Sequence, residues 1–196
     1  MKTTLTALLI AFGFVVTLRA QQMPIQDRIS VEFRPGASFA TKDLAGADIG
    51  AGGGFEATFA FQFMPHLSVY AGWGWNAFKT DNSFAGNNTN FKETGYTYGL
   101  QFIHPLPTTK LSYMIRAGAV SNHIEVENSN GDVVADSGVG LGWQAECGLA
   151  IPVGENWRLI PGIRYRYLSR DIHYGATAMP LDLRYFSLGM GVNWTF

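Results

Sequence analysis

The sequence predicts an all-β fold: an eight-stranded antiparallel up-and-down transmembrane β-barrel. Three observations predict it. First, large apolar residues alternate with small or polar ones over segments of roughly ten residues, the length of a membrane-crossing strand. The pattern is clearest in Phe186, Leu188, Met190, Val192, Trp194 and Phe196 against Ser187, Gly189, Gly191, Asn193 and Thr195. Side chains on a strand alternate between faces, so each segment has a greasy face and a hydrophilic one. Second, the connections between segments alternate between short and long. Third, the aromatics gather near segment ends. In a barrel within lipid the greasy row points outward and the polar row lines the lumen.

Composition fits. The chain has 196 residues, 23 of them glycine, with 14% aromatic and 15% charged residues. That is too apolar for a disordered chain and suits β structure. A net charge of −1 gives no electrostatic case for nucleic acid. A single cysteine, Cys147, excludes an internal disulfide framework. Residues 1–20 read as a secretory signal peptide, with Lys2, an apolar run from Leu5 to Val16, and Leu18-Arg19-Ala20 as the cleavage site. No later apolar run approaches a membrane helix, so a membrane-embedded chain must close as a barrel. The barrel domain is read as 21–196.

The elements follow in order. Strand one, 29–39, carries Ile29, Val31 and Phe33 outward, with Pro35 predicting a bulge or an irregular edge. A polar loop covers 41–48. Strand two, 49–63, has Phe55, Ala57, Phe59, Phe61 and Phe63 on its outward row. Met64-Pro65-His66 is a tight turn. Strand three, 67–78, sets Leu67, Val69, Ala71, Trp73 and Trp75 against Ser68, Tyr70, Gly72, Gly74 and Asn76. The polar run 79–93 predicts a long loop. Strand four, 94–103, faces Tyr96, Tyr98, Leu100 and Phe102 outward, and a Pro-rich turn follows at 104–110. Strand five faces Leu111, Tyr113, Ile115, Ala117 and Ala119 outward. The longest predicted loop is 121–137, in which Ile124 and Val126 can extend the flanking strand. Strand six, 138–150, carries Val139, Leu141, Trp143, Ala145, Cys147 and Leu149 outward. After a turn at 152–156, strand seven, 157–168, shows Trp157, Leu159, Ile163, Tyr165 and Tyr167 outward. A loop at 169–182 leads to strand eight.

Loops one, three, five and seven are thus long, and turns two, four and six are short. Short periplasmic turns and long extracellular loops are the habit of bacterial barrels. Aromatics then form two girdles. Phe61, Phe63, Phe102, Trp157, Trp194 and Phe196 lie low; Trp73, Trp75, Phe78, Tyr165 and Tyr167 lie high.

Gly162-Ile163-Arg164-Tyr165-Arg166-Tyr167, the segment from Leu188 to Phe196, and Pro65-His66-Leu67-Ser68-Val69-Tyr70-Ala71-Gly72 together resemble the small outer-membrane barrels typified by the OmpA transmembrane domain, OmpX and the opacity proteins. The resemblance implies the outer membrane of a Gram-negative bacterium, with lipid and lipopolysaccharide as surroundings. It also implies that Gly189, Gly191, Trp194 and Phe196 form an assembly signal read by the barrel-assembly machinery. Such families include anchors, adhesins, small pores and a few lipid A-modifying enzymes, so the fold does not choose the function.

The candidate chemistry lies in the lumen. Glu32, Arg34, Glu56, Arg116, Glu146, Arg158, Arg164 and Arg166 all fall on the inward parity, with Arg184 a further candidate. An eight-stranded barrel is just wide enough for side chains to fill. Enclosed charges must pair or stay hydrated. Arg116 and Glu146 fall at similar heights, as do Glu56 and Arg164, which predicts a Glu–Arg network plugging the lumen. The alternative is a wet lumen acting as a small anion-preferring pore. No catalytic residue, cofactor or metal site is expected. Gly50-Ala51-Gly52-Gly53-Gly54 lacks the Lys-Ser/Thr ending and the helix of a phosphate loop. The histidines, His66, His104, His123 and His173, fall in different turns and loops. Ser169 and His173 lack the adjacent His-x-Ser arrangement of the lipid A deacylases. A soluble lipocalin-like binder would need Phe55, Phe59, Trp73 and Trp143 inside the barrel. Asn82, Asn87, Asn88, Asn128 and Asn130 give the long loops polar tips that could meet a surface partner.

Overall fold

The structure, a computed structural model, describes residues 24–44, 47–174 and 177–196, and within them every side chain except those of 26, 173, 174 and 177–179. The proposed signal peptide, 1–20, lies outside the described residues. Among the described residues, nine strands follow a short 3-10 turn: β1 Ile29–Ala40, β2 Gly52–Met64, β3 Leu67–Ser83, β4 Gly86–Pro105, β5 Ser112–Glu127, β6 Val133–Asp136, β7 Gly140–Pro152, β8 Trp157–Tyr174 and β9 Thr177–Thr195. All pair antiparallel. The order runs β4-β3-β2-β1-β9-β8-β7-β5, and a further β4–β5 pairing returns the sheet on itself. These eight strands close a ring. Closure leaves no sheet edge in the wall, which a backbone in lipid requires. The short β6 adds to the upper end of β5, where Glu125 pairs with Asp136.

The alternation sets the faces. Phe33, Phe59, Leu100, Ile115 and Leu188 are each about half exposed on the outer wall, while Glu32, Thr58, Gln101, Arg116 and Ser187, their sequence neighbours, are buried inside. A shift of one residue would exchange these faces. The girdles pack ring on ring. Trp194 lies 6.1 Å from Trp157 and 4.2 Å from Phe196 at the lower end. At the upper end Trp143 lies 5.5 Å from Tyr165, which lies 4.9 Å from Phe186. Among the described residues no helix is long and apolar enough to cross a membrane.

Several expectations are corrected. Of the two alternatives at Pro35, the bulge is absent, since the register toward β2 runs unbroken through Arg34↔Glu56, Pro35↔Phe55 and Gly36↔Gly54, and the irregularity is present toward β9, where Arg34 and Pro35 have no partners in the ladder. Toward β9 the pairing keeps the same register on either side of Pro35, from Phe33↔Val192 to Gly36↔Gly189. Proline removes an N–H donor without adding a residue, so a rung can be lost while the register stays. The predicted loops at 79–93 and 169–182 are largely strand. β3 and β4 continue to a turn at Phe84 and Ala85, and β8 and β9 pair up to Tyr174↔Thr177. Polar composition marks solvent, but alternation continues within it: Thr80, Thr89, Phe91, Leu181 and Leu183 are all buried. Ile124 and Val126 do extend β5, as their spacing suggested. Phe78 does not join the upper girdle. Its even parity on β3 turns it inward, 5.1 Å from the Tyr185 ring.

Candidate functional site

The lumen is built in three layers. At the periplasmic mouth a cavity of about 240 Å³ is lined by Ser30, Gln62, Ser68, Gln101, Arg158 and Thr195 among others. Above it lies a layer of charge. Above that, the lumen is mainly apolar, with Asn122 and Arg170 bonded to each other among the apolar side chains.

In the charge layer, four carboxylates meet four guanidinium groups. Glu32 accepts from Arg34 at 2.7 Å and from Arg116 at 3.0 Å. Glu56 accepts from Arg164 at 2.6 Å and from Arg166 at 2.8 Å, with Arg116 at 3.8 Å. Glu146 lies 3.0 Å from Arg34, 3.5 Å from Arg164 and 3.7 Å from its cross-strand neighbour Arg116. Arg166 also donates to Glu93 at 2.6 Å. All eight side chains are almost wholly shielded from solvent. An unpaired charge in such a place is costly, so each must be held by its opposites. Neutral groups complete the layer. Gln101 accepts from Arg116, Gln144 accepts from Arg166, and the Arg116 guanidinium lies 4.9 Å from the centre of the Tyr70 ring. Glu146 touches its arginines without hydrogen-bond alignment. A cavity of about 10 Å³ beside Arg34 and Arg164 has room for roughly one water.

Glycines make room for these arginines. Gly54, Gly36, Gly189, Gly162 and Gly148 follow one another on five adjacent strands. A Cβ on Gly162 would lie 2.7 Å from Arg34 Nη1, and one on Gly191 would lie 2.8 Å from Glu32 Oε1. Both separations are too short for real contacts, so the glycines and the long side chains fit as a set.

Glu93 links the charge layer to the apolar one. It accepts from Arg166, from the Tyr185 hydroxyl, from Asn76 at 3.2 Å and from Asn122. Above it Phe78, Phe91, Val120, Ile124, Val126, Leu168, Ile172, Leu181 and Leu183 form an apolar core, and Leu44, Ala47 and Ile49 from the first loop pack into it. This overturns the expectation of a polar lumen throughout. The upper lumen is shielded from lipid by the wall and from water by loop one, so apolar side chains are stable there.

The predicted residues sort clearly. Glu32, Arg34, Glu56, Arg116, Glu146, Arg164 and Arg166 come together. Arg158 stands apart in the periplasmic cavity, with no ion pair among the described residues. It lies six residues below Arg164 on β8, near the turn, too low to reach the acids. Arg184 faces outward over the Tyr167 ring at 4.7 Å, because inward parity on β9 is odd. Gly189 and Gly191 back the charge layer, while Trp194 and Phe196 sit on the outer wall. Sequence reasoning set Tyr70, Asn76 and Gln144 on the inward rows without assigning them to the site, and it missed Glu93, Gln101 and Tyr185. All share the inward parity of their strands, and that signal would have found them. Elsewhere, Gly52 and Gly54 lie within β2 with no helix after them. Ser169 donates to Asp182 at 2.7 Å, and the His173 side chain lies outside the described residues. His66 and His104 come together at the periplasmic rim, 4.6 Å between ring centres, although they belong to different turns.

Comparison with known proteins adds the family. Residues 8–196 match the model of the outer membrane protein beta-barrel domain. No curated protein sequence matches the chain. Among solved structures, the neisserial surface protein A shares 16% identity at a TM-score of 0.64, covering 86% of this chain and 97% of its own. OprG from Pseudomonas aeruginosa shares 16% at 0.55, covering 88% and 100%. Outer membrane protein W of E. coli shares 12% at 0.58, covering 89% and 100%. Identities this low speak for the fold.

Proposed function

The chain belongs to the outer membrane protein beta-barrel domain family, and we propose that it serves as a closed-lumen barrel of the Gram-negative outer membrane, with a structural or surface-interaction role. One observation carries the reading. Buried ion pairs join β1, β2, β4, β5, β7 and β8 across the lumen in one connected layer. An ion passing through would have to separate guanidinium from carboxylate in a dry, narrow space, and breaking a buried pair is strongly unfavourable. The mainly apolar core above it adds a second barrier, since its buried polar side chains are already engaged, Arg170 with Asn122 for one.

On this reading the chain is exported by residues 1–20 as a cleaved signal peptide. Its outer wall meets lipid and lipopolysaccharide. The β9 residues Gly189, Gly191, Trp194 and Phe196 present the pattern that the assembly machinery reads. The hairpins above the girdles, with Asn82, Asn87, Asn88, Asn128 and Asn130 near their tips, offer the surface to a partner. No catalytic role is proposed: the Ser169 hydroxyl donates to the Asp182 carboxylate at 2.7 Å rather than to an imidazole.

Three measurements test the proposal. Unheated protein should run faster than boiled protein on a denaturing gel and should resist carbonate extraction from outer-membrane fractions. Liposomes carrying the folded protein should not swell in small sugars. Carbonate release without a heat-dependent shift would reject the membrane barrel. Rapid swelling would reject the closed lumen and favour a small pore.

A further inference from the structure

A second cluster lies on the outer face of the β5–β6 hairpin, away from the lumen. His123 and Glu125 are two apart on β5 and so share a face. Asp136 on β6 is the register partner of Glu125. One donor atom from each of the three lies within 4.8 Å of the others. His123 Nε2 stands 3.8 Å from Glu125 Oε1, and Nδ1 stands 3.9 Å from Asp136 Oδ2. Like charges directly opposite on paired strands repel. The nearby amine of Lys92, cross-strand from Glu125, is held by Glu127 at 2.5 Å. Two carboxylates therefore flank one imidazole without an amine or guanidinium paired to either among the described residues.

We propose that His123, Glu125 and Asp136 form a divalent-metal site of zinc type on the extracellular side of the barrel. One imidazole and two carboxylates suit a borderline ion such as Zn²⁺, whereas Ca²⁺ takes six to eight oxygens and has no use for an imidazole. Donors around a tetrahedral zinc stand roughly 3.4 Å apart. Here, with a single imidazole nitrogen serving, the three donor atoms lie within 4.8 Å of one another, so the side chains must close in on the ion. The side chains are about a third exposed, so they are free to rotate inward and to leave the fourth position to water. The backbone is already set. Gly138 N–H donates to Asp136 Oδ1 at 2.6 Å, which leaves Oδ2 facing His123. Ile124 N–H donates to Ser137 Oγ at 2.9 Å, and Ser137 N–H donates to the Ile124 carbonyl at 3.0 Å. Such outer contacts orient ligands before the ion arrives.

The position gives the ion a task. β5 pairs with β7 up to Asn122↔Gly140 and with β6 from Glu125↔Asp136 upward. A bound metal would staple β6 to β5 where β5 changes partners, and would hold the turn at 128–132 above it.

The test uses the full chain folded in detergent micelles, with folding checked by heat-dependent gel mobility. Calorimetry with Zn²⁺ and absorption with Co²⁺ should show one ion per chain. His123→Gln and Asp136→Asn should each weaken binding about tenfold or more while leaving the gel shift intact. A His66→Gln/His104→Gln double variant should bind as the wild type does. Zn²⁺ should also slow proteolysis within 128–132. The proposal is overturned if no stoichiometric binding occurs, if His123→Gln binds normally, if binding moves with His66 and His104, or if Ca²⁺ displaces Zn²⁺ readily.

Discussion

Arg116 on β5 reaches Glu32 on β1 at 3.0 Å across the full width of the lumen. The two strands stand four places apart in either direction round the ring. Tyr185 on β9 and Glu93 on β4 make the same crossing one layer higher. These diameters brace opposite walls against each other at two heights. They turn a membrane barrel into something packed like a soluble core, with charge pairs below and apolar side chains above.

Glu56 is the acid whose loss should cost most. It receives Arg164 and Arg166 and faces Arg116. Glu56→Gln keeps the size and removes the charge, leaving guanidinium groups partly uncompensated. Destabilisation of about 3–5 kcal/mol is expected from breaking a buried charge network, read from urea unfolding of the folded barrel in micelles or lipid. A loss below about 1 kcal/mol, the range of a surface pair, would show that the lumen is hydrated enough to screen these charges.

The room left by glycine is testable at Gly162. A methyl group there would lie 2.7 Å from Arg34 Nη1 and 2.9 Å from the Cys147 carbonyl. The second contact is backbone and cannot turn aside. Gly162→Ala should destabilise by about 1–3 kcal/mol, the usual result of overpacking. Gly154→Ala, with nothing closer than 3.8 Å, should change little. Equal effects at the two positions would contradict the fitted layer.

The topology can be read on intact cells. A protease site inserted within 128–132 should be cleaved from outside, and one within 153–156 should be protected. The first lies at the tip of the β5–β6 hairpin and the second in the turn between β7 and β8. The reverse pattern would invert the barrel.

Above the girdle, Ser169 and Asp182 make a small titrating unit. The Ser169 hydroxyl holds the Asp182 carboxyl below the usual carboxylate range, and Lys42 and Arg184 act in the same direction. A lowered native pKa means that this contact favours the folded β8–β9 pair above the usual range and that the benefit is lost as pH falls through the lowered value. Ser169→Ala should raise the Asp182 titration midpoint in a carbon-detected NMR titration. An unchanged or lower midpoint would contradict the assignment.

Much of the fold was legible in the sequence because one physical rule, period-two alternation, governs every wall strand. Phe186 to Phe196 displays it almost without fault. It also gave the pairing of Glu56 with Arg164 and of Arg116 with Glu146, since both pairs share parity and height. Height was harder to read where loops were presumed. Glu93 stood at the boundary of a segment rich in Asn, Asp and Thr, and those residues look like loop whether or not they pair. Leu181 and Leu183 were hidden in the same way. Arg158 had the right parity and the wrong height. The apolar upper lumen depends on Leu44, Ala47 and Ile49 folding back into the mouth, a tertiary event that no local period encodes.

The most direct test of the closed lumen is single-channel recording in planar bilayers. The wild-type protein should insert, as shown by recovery of heat-modifiable barrel from the bilayer-forming vesicles, and should pass little or no steady current. Glu32→Ala with Arg116→Ala, which removes the crossing, should raise conductance if the apolar core above yields. Large, stable currents from the wild-type protein, with anions preferred over cations, would contradict the account and make the barrel a pore.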